Sequence, residues 1–337
     1  MGKYNPPDSF ANDVASGWFP EDLTEDQIAD GDSYHSALYH DGDTMRPASW
    51  HRDSIKWLLE SALPVIKEGD LVVDYGSGTG GSAIELLKLM DERGVSIELV
   101  LIDPLKSWFG KAWEVLGHRD NVHFEHSIVT GENGKPVFRR LDEMLSGKKA
   151  NVIISSSTMH LVPTRALPDL AFQFAESLES GGFFFWNSGD LECDWRDSSV
   201  ARLHDPFRRV REFLRKDKKR MEILDGMNLE DANTTERRID RIFPVPYPIN
   251  WITDSLEEAG FNGELSERIV DFRIEDAERF ILVPRLAEIA APLFEGEERD
   301  MVIRETLEIV FARMRGEGTA TDNGYRSHWV YGIHEKN

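Results

Sequence analysis

Apolar and polar positions alternate in blocks along this chain, and the blocks read as strands and helices in turn. Leu71-Val-Val is a short apolar run that stops at Asp74. It passes through Gly76, Gly78, Gly80 and Gly81 and resumes at helical spacing with Ala83, Leu86, Leu87 and Met90. This is the pattern of a buried strand, a tight turn and a packed helix. Ahead of it, Ile55, Leu58, Leu59 and Ala62 predict a helix over Trp50 to Leu63, ended by Pro64. Behind it, Glu98–Asp103 reads as a second strand, followed by a helix carrying Trp108, Phe109, Trp113 and Leu116. Val122–His126 and Val152–Ile154 read as strands three and four. A helix through Leu170, Phe174 and Leu178 is expected to stop at Gly181-Gly182, before a fifth, wholly apolar strand at Phe183–Trp186. Strands alternating with helices at this spacing predict a parallel α/β sheet.

The second half has a different texture. Residues 197–240 are charged and mostly helical in pattern, with one apolar face (Phe207, Val210, Leu214) and a basic concentration over 208–220. A proline-stiffened aromatic loop, Phe243–Trp251, leads into a helix ending near Gly260. Leu265–Phe272 predicts a sixth strand, residues 275–315 two amphipathic helices, and Ser327–Ile333 a closing strand. The expected division is an arm over 1–30, an α/β core with an N-terminal lid over 31–190, a helical cap with strand six over 191–326, and a final core strand over 327–337.

Composition narrows the function. The chain has 337 residues and a net charge of −22, with 39 basic against 61 acidic side chains. Such a surface argues against nucleic acid as the main partner. No run is long enough to span a bilayer. Met1–Pro7 lacks the apolar core of a signal peptide, and Cys193 stands alone, so a cytoplasmic location is expected. No His or Cys spacing suggests a metal site.

The glycine turn carries the candidate chemistry. Gly76, Gly78 and Gly81 satisfy the dinucleotide pattern G-x-G-x-x-G. Asp74, Gly76, Gly78 and Gly80 equally satisfy D-x-G-x-G-x-G, which resembles the first motif of class I S-adenosylmethionine (SAM) methyltransferases. A carboxylate at the strand end repels a pyrophosphate and suits a ligand with an ammonium and a sulfonium. Asp103 closes the neighbouring strand run and is placed to accept ribose hydroxyls, as in both cofactor classes. Gly31–His40, rich in aromatics and histidines, reads as a lid over this site.

With these residues in view, the chain resembles the SABATH carboxyl methyltransferases from about Gly31 to its end. Gly31-Asp-Ser-Tyr34 is similar to the family's G-x-x-S-Y segment, Ile102-Asp103-Pro104 to N-D-L-P, and Ser127-Ile128 to a Ser-Phe pair against adenine. Ser155–Leu161 resembles S-S-x-S-L-H-W, Phe243–Tyr247 the F-N-x-P-x-Y loop, and Ala287–Gly296 a helical cap motif. Leu161 departs from the family's Trp, and His40 or Asp41 stands where a carboxylate-holding Gln is usual.

The resemblance implies a Rossmann-like class I SAM-methyltransferase sheet of seven strands, with a helical cap inserted before the last. It implies SAM as cofactor, S-adenosylhomocysteine as product, and a homodimer. The implied cofactor-binding residues are Tyr34, Asp74, Gly76, Ser77, Gly78, Asp103, Pro104, Ser127, Ile128 and Ser156. His160 becomes the catalytic candidate at the substrate carboxylate. His40, Leu161, Trp186, Tyr247 and Trp251 become the substrate pocket, with Leu161 making it more aliphatic, as in bacterial fatty-acid methyltransferases. The implied reaction methylates a small hydrophobic carboxylic acid, fatty or aromatic. A carboxylate is ionised at neutral pH and needs no general base, which suits a sequence without a Ser/His/Asp or paired-carboxylate arrangement. Methylation of a heterocycle, an NAD-dependent oxidoreductase and a non-catalytic binding module are the alternatives.

Overall fold

The apolar run at residue 71 forms the first strand, β1 (Leu71–Tyr75), and the rest of a twisted sheet assembles around it in the computed structural model. The structure describes residues 23–40, 43–130, 136–216, 245–292 and 294–337. β1 pairs in parallel with β2 (Glu98–Asp103) on one side and β6 (Ala150–Ser156) on the other. β3 (Val122–His126) and β7 (Leu178–Ser188) extend the parallel run outward. Next to β7 lies β10 (Gly324–Lys336), antiparallel to it and to the edge strand β8 (Phe261–Arg273). The spatial order is β3-β2-β1-β6-β7-β10-β8. Counted along the chain, the seven long strands therefore run 3-2-1-4-5-7-6 with the last reversed, the expected Rossmann-like class I arrangement. A two-residue strand, β9 (Ala320–Thr321), pairs with β10 and makes the sheet eight-stranded. The hairpin of β4 (Ile128–Thr130) and β5 (Pro136–Phe138) stands apart from the sheet and was not expected.

Both faces of the sheet are covered except along the largely exposed edge strand β8, and the period of two along the central strands assigns residues to them. Val72, Leu99, Val152 and Phe185 face one core; Val73, Val100, Ile153 and Phe184 face the other. The first core holds the stripes of α2 (Ser49–Ala62), α3 (Gly81–Arg93) and α4 (Lys106–Leu116). The second holds α5 (Leu141–Met144), α6 (Leu167–Ser177) and α8 (Asn250–Glu258). Strands buried on both sides need no polar face, which is why they read as unbroken apolar runs.

Several boundaries differ from the sequence reading. α1 spans Glu25–Leu38, so the expected arm is already helical over its last six residues. A capping box fixes that start: Gln27 N–H donates to Thr24 Oγ1, and Thr24 N–H to Gln27 Oε1. Residues 1–22 lie outside the described residues. Gly181 and Gly182 do not end a helix; α6 stops at Ser177 and both glycines lie within β7. The charged segment begins with α7 (Asp205–Arg215), and 217–240 lies outside the described residues. The two helices expected over 275–315 are three: α9 (Ile274–Ile281), α10 (Pro284–Ala290) and α11 (Gly296–Gly316). Pro284 divides them, since proline is tolerated in the first turn of a helix but not inside it. Among the described residues no helix is long and apolar enough to cross a membrane.

Candidate functional site

The parallel strands end together at their carboxyl edge, and a cavity of about 470 Å³ opens there. In an open α/β sheet this edge is where ligands bind. The turn after β1 forms one wall, the loop after β6 another, and α1 and α2 the roof.

The turn is shaped by its glycines. Gly76, Gly78 and Gly80 have φ of +77°, +54° and +81°, a conformation that costs other residues strain. A Cβ on Gly76 would stand 2.3 Å from the Thr158 side chain. Thr158 Oγ1 instead donates to Gly76 O at 3.1 Å and locks the two walls together. Ser157 also has positive φ (54°), an uncommon state for a non-glycine. It is held there by Asn187, whose Oδ1 accepts the Ser157 N–H at 2.9 Å.

Two buried carboxylates underlie the turn. Asp103 Oδ2 accepts Gly78 N–H at 2.8 Å, and its Oδ1 accepts Leu105 N–H at 2.7 Å. Burial raises the Asp103 pKa to about 6, against the opposing pull of these two N–H groups and Arg285. Asp74 is 2% exposed, and neither of its oxygens makes a well-formed hydrogen bond. Burial, then the Asp103 charge, lifts its pKa to about 7; the Ala83 N–H pulls back in part. More polar atoms around the turn are buried and unpartnered: Ser77 Oγ, Thr79 Oγ1, Trp108 Nε1 and His51 Nε2. Such groups are rare in folded proteins, and a cluster of them marks a place where something else supplies the bonds.

The roof is tied down on three sides. Gly31 lets α1 approach α4 so closely that a Cβ would lie 2.5 Å from Ser107 O. Asp30 accepts from Ser107 Oγ at 2.8 Å and from the Arg285 N–H of α10 at 3.0 Å. Tyr34 stacks on Trp108 with ring centroids 3.8 Å apart. From α2, His51 reaches over the start of α3, where a Cβ on Gly81 would stand 2.8 Å from its ring. Burial, then His35 and Lys88, lowers the His51 pKa to about 3, so its ring is neutral.

The expected site residues divide in two. Tyr34, Gly76, Ser77, Gly78, Asp103, Pro104, Ser127, Ser156 and Leu161 all line the cavity. Asp74 lies beneath the turn rather than on its surface, and Ile128 begins β4 off the wall. The expected substrate residues are mostly elsewhere. His40 is exposed after α1, and Asp41 lies outside the described residues. His160 is 3% exposed and turns away, its Nδ1 paired with Ser188 Oγ at 3.0 Å. The tight helical turn Met159–Leu161 sends successive side chains in different directions, so Leu161 faces the cavity and His160 the interior. Burial, then His204, lowers the His160 pKa to about 3. Trp186 is fully buried in β7, against the His334 ring. Tyr247 donates to Met159 O at 2.5 Å and anchors its loop, and Trp251 is 46% exposed.

His160, Asp190 and His204 are the one trio among the described residues whose possible metal-ligand atoms lie within 4.8 Å of one another. Arg208 already spans both Asp190 oxygens and His204 Nδ1 lies 3.1 Å from one, so the cluster is a closed ion network. A larger cavity of about 850 Å³ between α7 and α11 is rich in arginine, but Arg202, Arg208 and Arg209 there are paired with carboxylates.

Sequence reading missed His51, Ser54, Thr79, Trp108 and Arg139 on the cavity wall. One signal was present: His51 falls on the apolar stripe of α2, four residues before Ile55, where a polar side chain must have a reason to be buried.

No protein-family model matches the chain, and no curated protein does. The fold is similar to solved structures at low identity. The YcgJ protein of Bacillus subtilis is 12% identical, with 85% of this chain and 99% of that one covered, at a TM-score of 0.48. The cyclopropane synthase MmaA2 of Mycobacterium tuberculosis is 14% identical, covering 98% and 99%, at 0.47. Geranyl diphosphate C-methyltransferase of Streptomyces coelicolor A3(2) is 12% identical, covering 84% and 76%, at 0.38. The functional reading rests instead on the chain's own topology and site.

Proposed function

We propose that the chain is a SAM-dependent methyltransferase that converts the carboxylate of a small hydrophobic acid to its methyl ester. The observation that carries the reading is Asp74: a carboxylate with no well-formed hydrogen bond on either oxygen, buried under a glycine turn at the sheet's carboxyl edge. A buried acid without partners is costly unless a cation reaches it. The ammonium of an amino-acid tail supplies one, whereas a pyrophosphate would meet repulsion, which tells against a nicotinamide cofactor.

SAM, when bound, supplies a methyl group on a positively charged sulfur. The residues fit it end to end. Asp74 and the turn hold the ammonium end. At the other side of the turn, Ser82 and the neutral His51 offer donors to the tail carboxylate at the N-terminus of α3. Asp103 takes the ribose hydroxyls. Pro104, Ser127 and Ser156 frame the adenosine, with Leu161 as an apolar wall, and Tyr34 with Trp108 closes the roof. The protein's remaining task is to hold the nucleophile in line and exclude water. A substrate already ionised at pH 7 suits a wall whose histidine is a poor base.

A second reading, methylation of a neutral heterocycle, is favoured by one observation. The residues expected to tether a carboxylate, His40 and His160, are off the cavity wall. Turnover of labelled SAM against benzoate, salicylate and fatty acids of graded length decides between them. Methyl esters identified by mass support the first reading. SAM binding without any ester, together with turnover of a heterocycle, supports the second. A thermal shift with NAD and none with SAM overturns both.

A further inference from the structure

Among the described residues Arg139 is the one buried guanidinium on the cavity wall, and it is only half used. It follows the β4–β5 hairpin, and its backbone N–H donates to Ser127 O at 2.9 Å. One arm, Nη1, donates to Glu125 Oε2 at 2.7 Å and to His126 O at 3.2 Å. Those bonds fasten the chain after β5 to the end of β3. The other arm, Nη2, is buried and has no partner. The residue is 9% exposed and shares the cavity with Ser127 and Phe138. A structural role explains Nη1 and leaves Nη2 orphaned, at the cost of an unmade bond to a charged donor.

The register of the sheet says what lies in front of it. Asp103 pairs with His126 across β2 and β3, so the end of β3 directly flanks the ribose position. Ser127 and Arg139 line the same cavity as Asp103, together with the apolar Leu105 and Val162, and would meet a base attached to that ribose. The charge of Arg139 is already balanced by the buried carboxylate of Glu125. The open N–H therefore calls for a neutral acceptor rather than a second anion. A purine offers such acceptors at its ring nitrogens.

We propose that Arg139 is the base-reading residue of this site, its Nη2 donating to a ring nitrogen of the bound purine. The inference rests on the reading of the cavity as an adenosyl-cofactor site. The test is calorimetric binding of S-adenosylhomocysteine and its 1-deaza, 3-deaza and 7-deaza analogues, with no turnover required. One analogue is expected to bind the unmodified protein about tenfold or more weaker than the parent. Arg139→Met combined with Glu125→Gln, which removes both charges of the pair, should weaken the parent by a similar factor and erase the discrimination. If that variant fails to fold, the panel on the unmodified protein still decides. Equal binding of the parent and all three analogues overturns the inference alone. A penalty that persists unchanged in the folded variant also overturns it. Failure of the parent to bind at all overturns the cofactor reading, and this inference with it.

Discussion

At the residue scale, Asp74 makes the proposed chemistry measurable. Its pKa stands near 7 in the folded protein against 3.8 as the ordinary value. Between those values the folded chain holds a proton that the unfolded chain has lost. Stability contributed by this group is therefore lost as pH rises from about 4 to about 7. A bound ammonium reverses the preference, because it interacts with the ionised form. The thermal stabilisation by S-adenosylhomocysteine should then grow between about pH 5.5 and pH 7.5. Asp103, with its pKa near 6, contributes in the same direction at the lower end of that window. Asp74→Asn should weaken binding about tenfold at the upper end and leave only the shallower Asp103 dependence. A stabilisation that is flat with pH in the unmodified protein would remove the ammonium from this site. Asp74 and Asp103 were legible in the sequence because a carboxylate ending an apolar run beside glycines has few other reasons to be there. His160 was misplaced for an equally physical reason. In a short turn after a strand, one step along the chain rotates a side chain from cavity to core, and composition does not show which one turns in.

At the scale of elements, the roof depends on Asp30. Its carboxylate joins three helices at once: α1, which carries it, α4 through Ser107, and α10 through the Arg285 N–H. Asp30→Ala leaves a buried hydroxyl and a helix N-terminus unsatisfied. It should cost about 1–3 kcal/mol of stability, read as a shift of the urea midpoint without a change in slope. Because α1 also carries Tyr34, cofactor affinity should fall further than for a roof substitution remote from the cavity, such as Gln27→Ala. Equal affinity in the two variants would show that α1 does not cover the bound ligand. The strands and central helices were legible from periodicity alone, since their burial repeats every two or every 3.6 residues. The start of α1 was missed although Thr24 and Gln27 form a capping box, because the surrounding residues are polar and hide the helix. The β4–β5 hairpin and the cap boundaries were missed because they depend on packing between distant segments.

At the scale of the whole molecule, the sheet gathers the residues of the candidate site at one edge while the chain carries a net charge of −22. That field acts on any charged substrate before contact, and salt screens it over a Debye length of about 10 Å at 0.1 M. The two readings of the substrate then respond differently. A carboxylate must approach against the net repulsion, with the exposed Arg165 at the cavity as a local exception. Its apparent KM should fall about two- to fivefold as salt is raised from about 20 mM to about 200 mM, with kcat unchanged. A neutral heterocycle feels no such barrier, and its KM should be flat over the same range. Arg165→Ala should steepen the salt dependence for the acid, because it removes the local attraction and leaves the repulsion. An acid whose KM rises with salt would mean that local cations outweigh the global field, and would move the carboxylate tether to Arg165. The measurement separates the substrate classes by physics that neither the fold nor the glycine turn encodes.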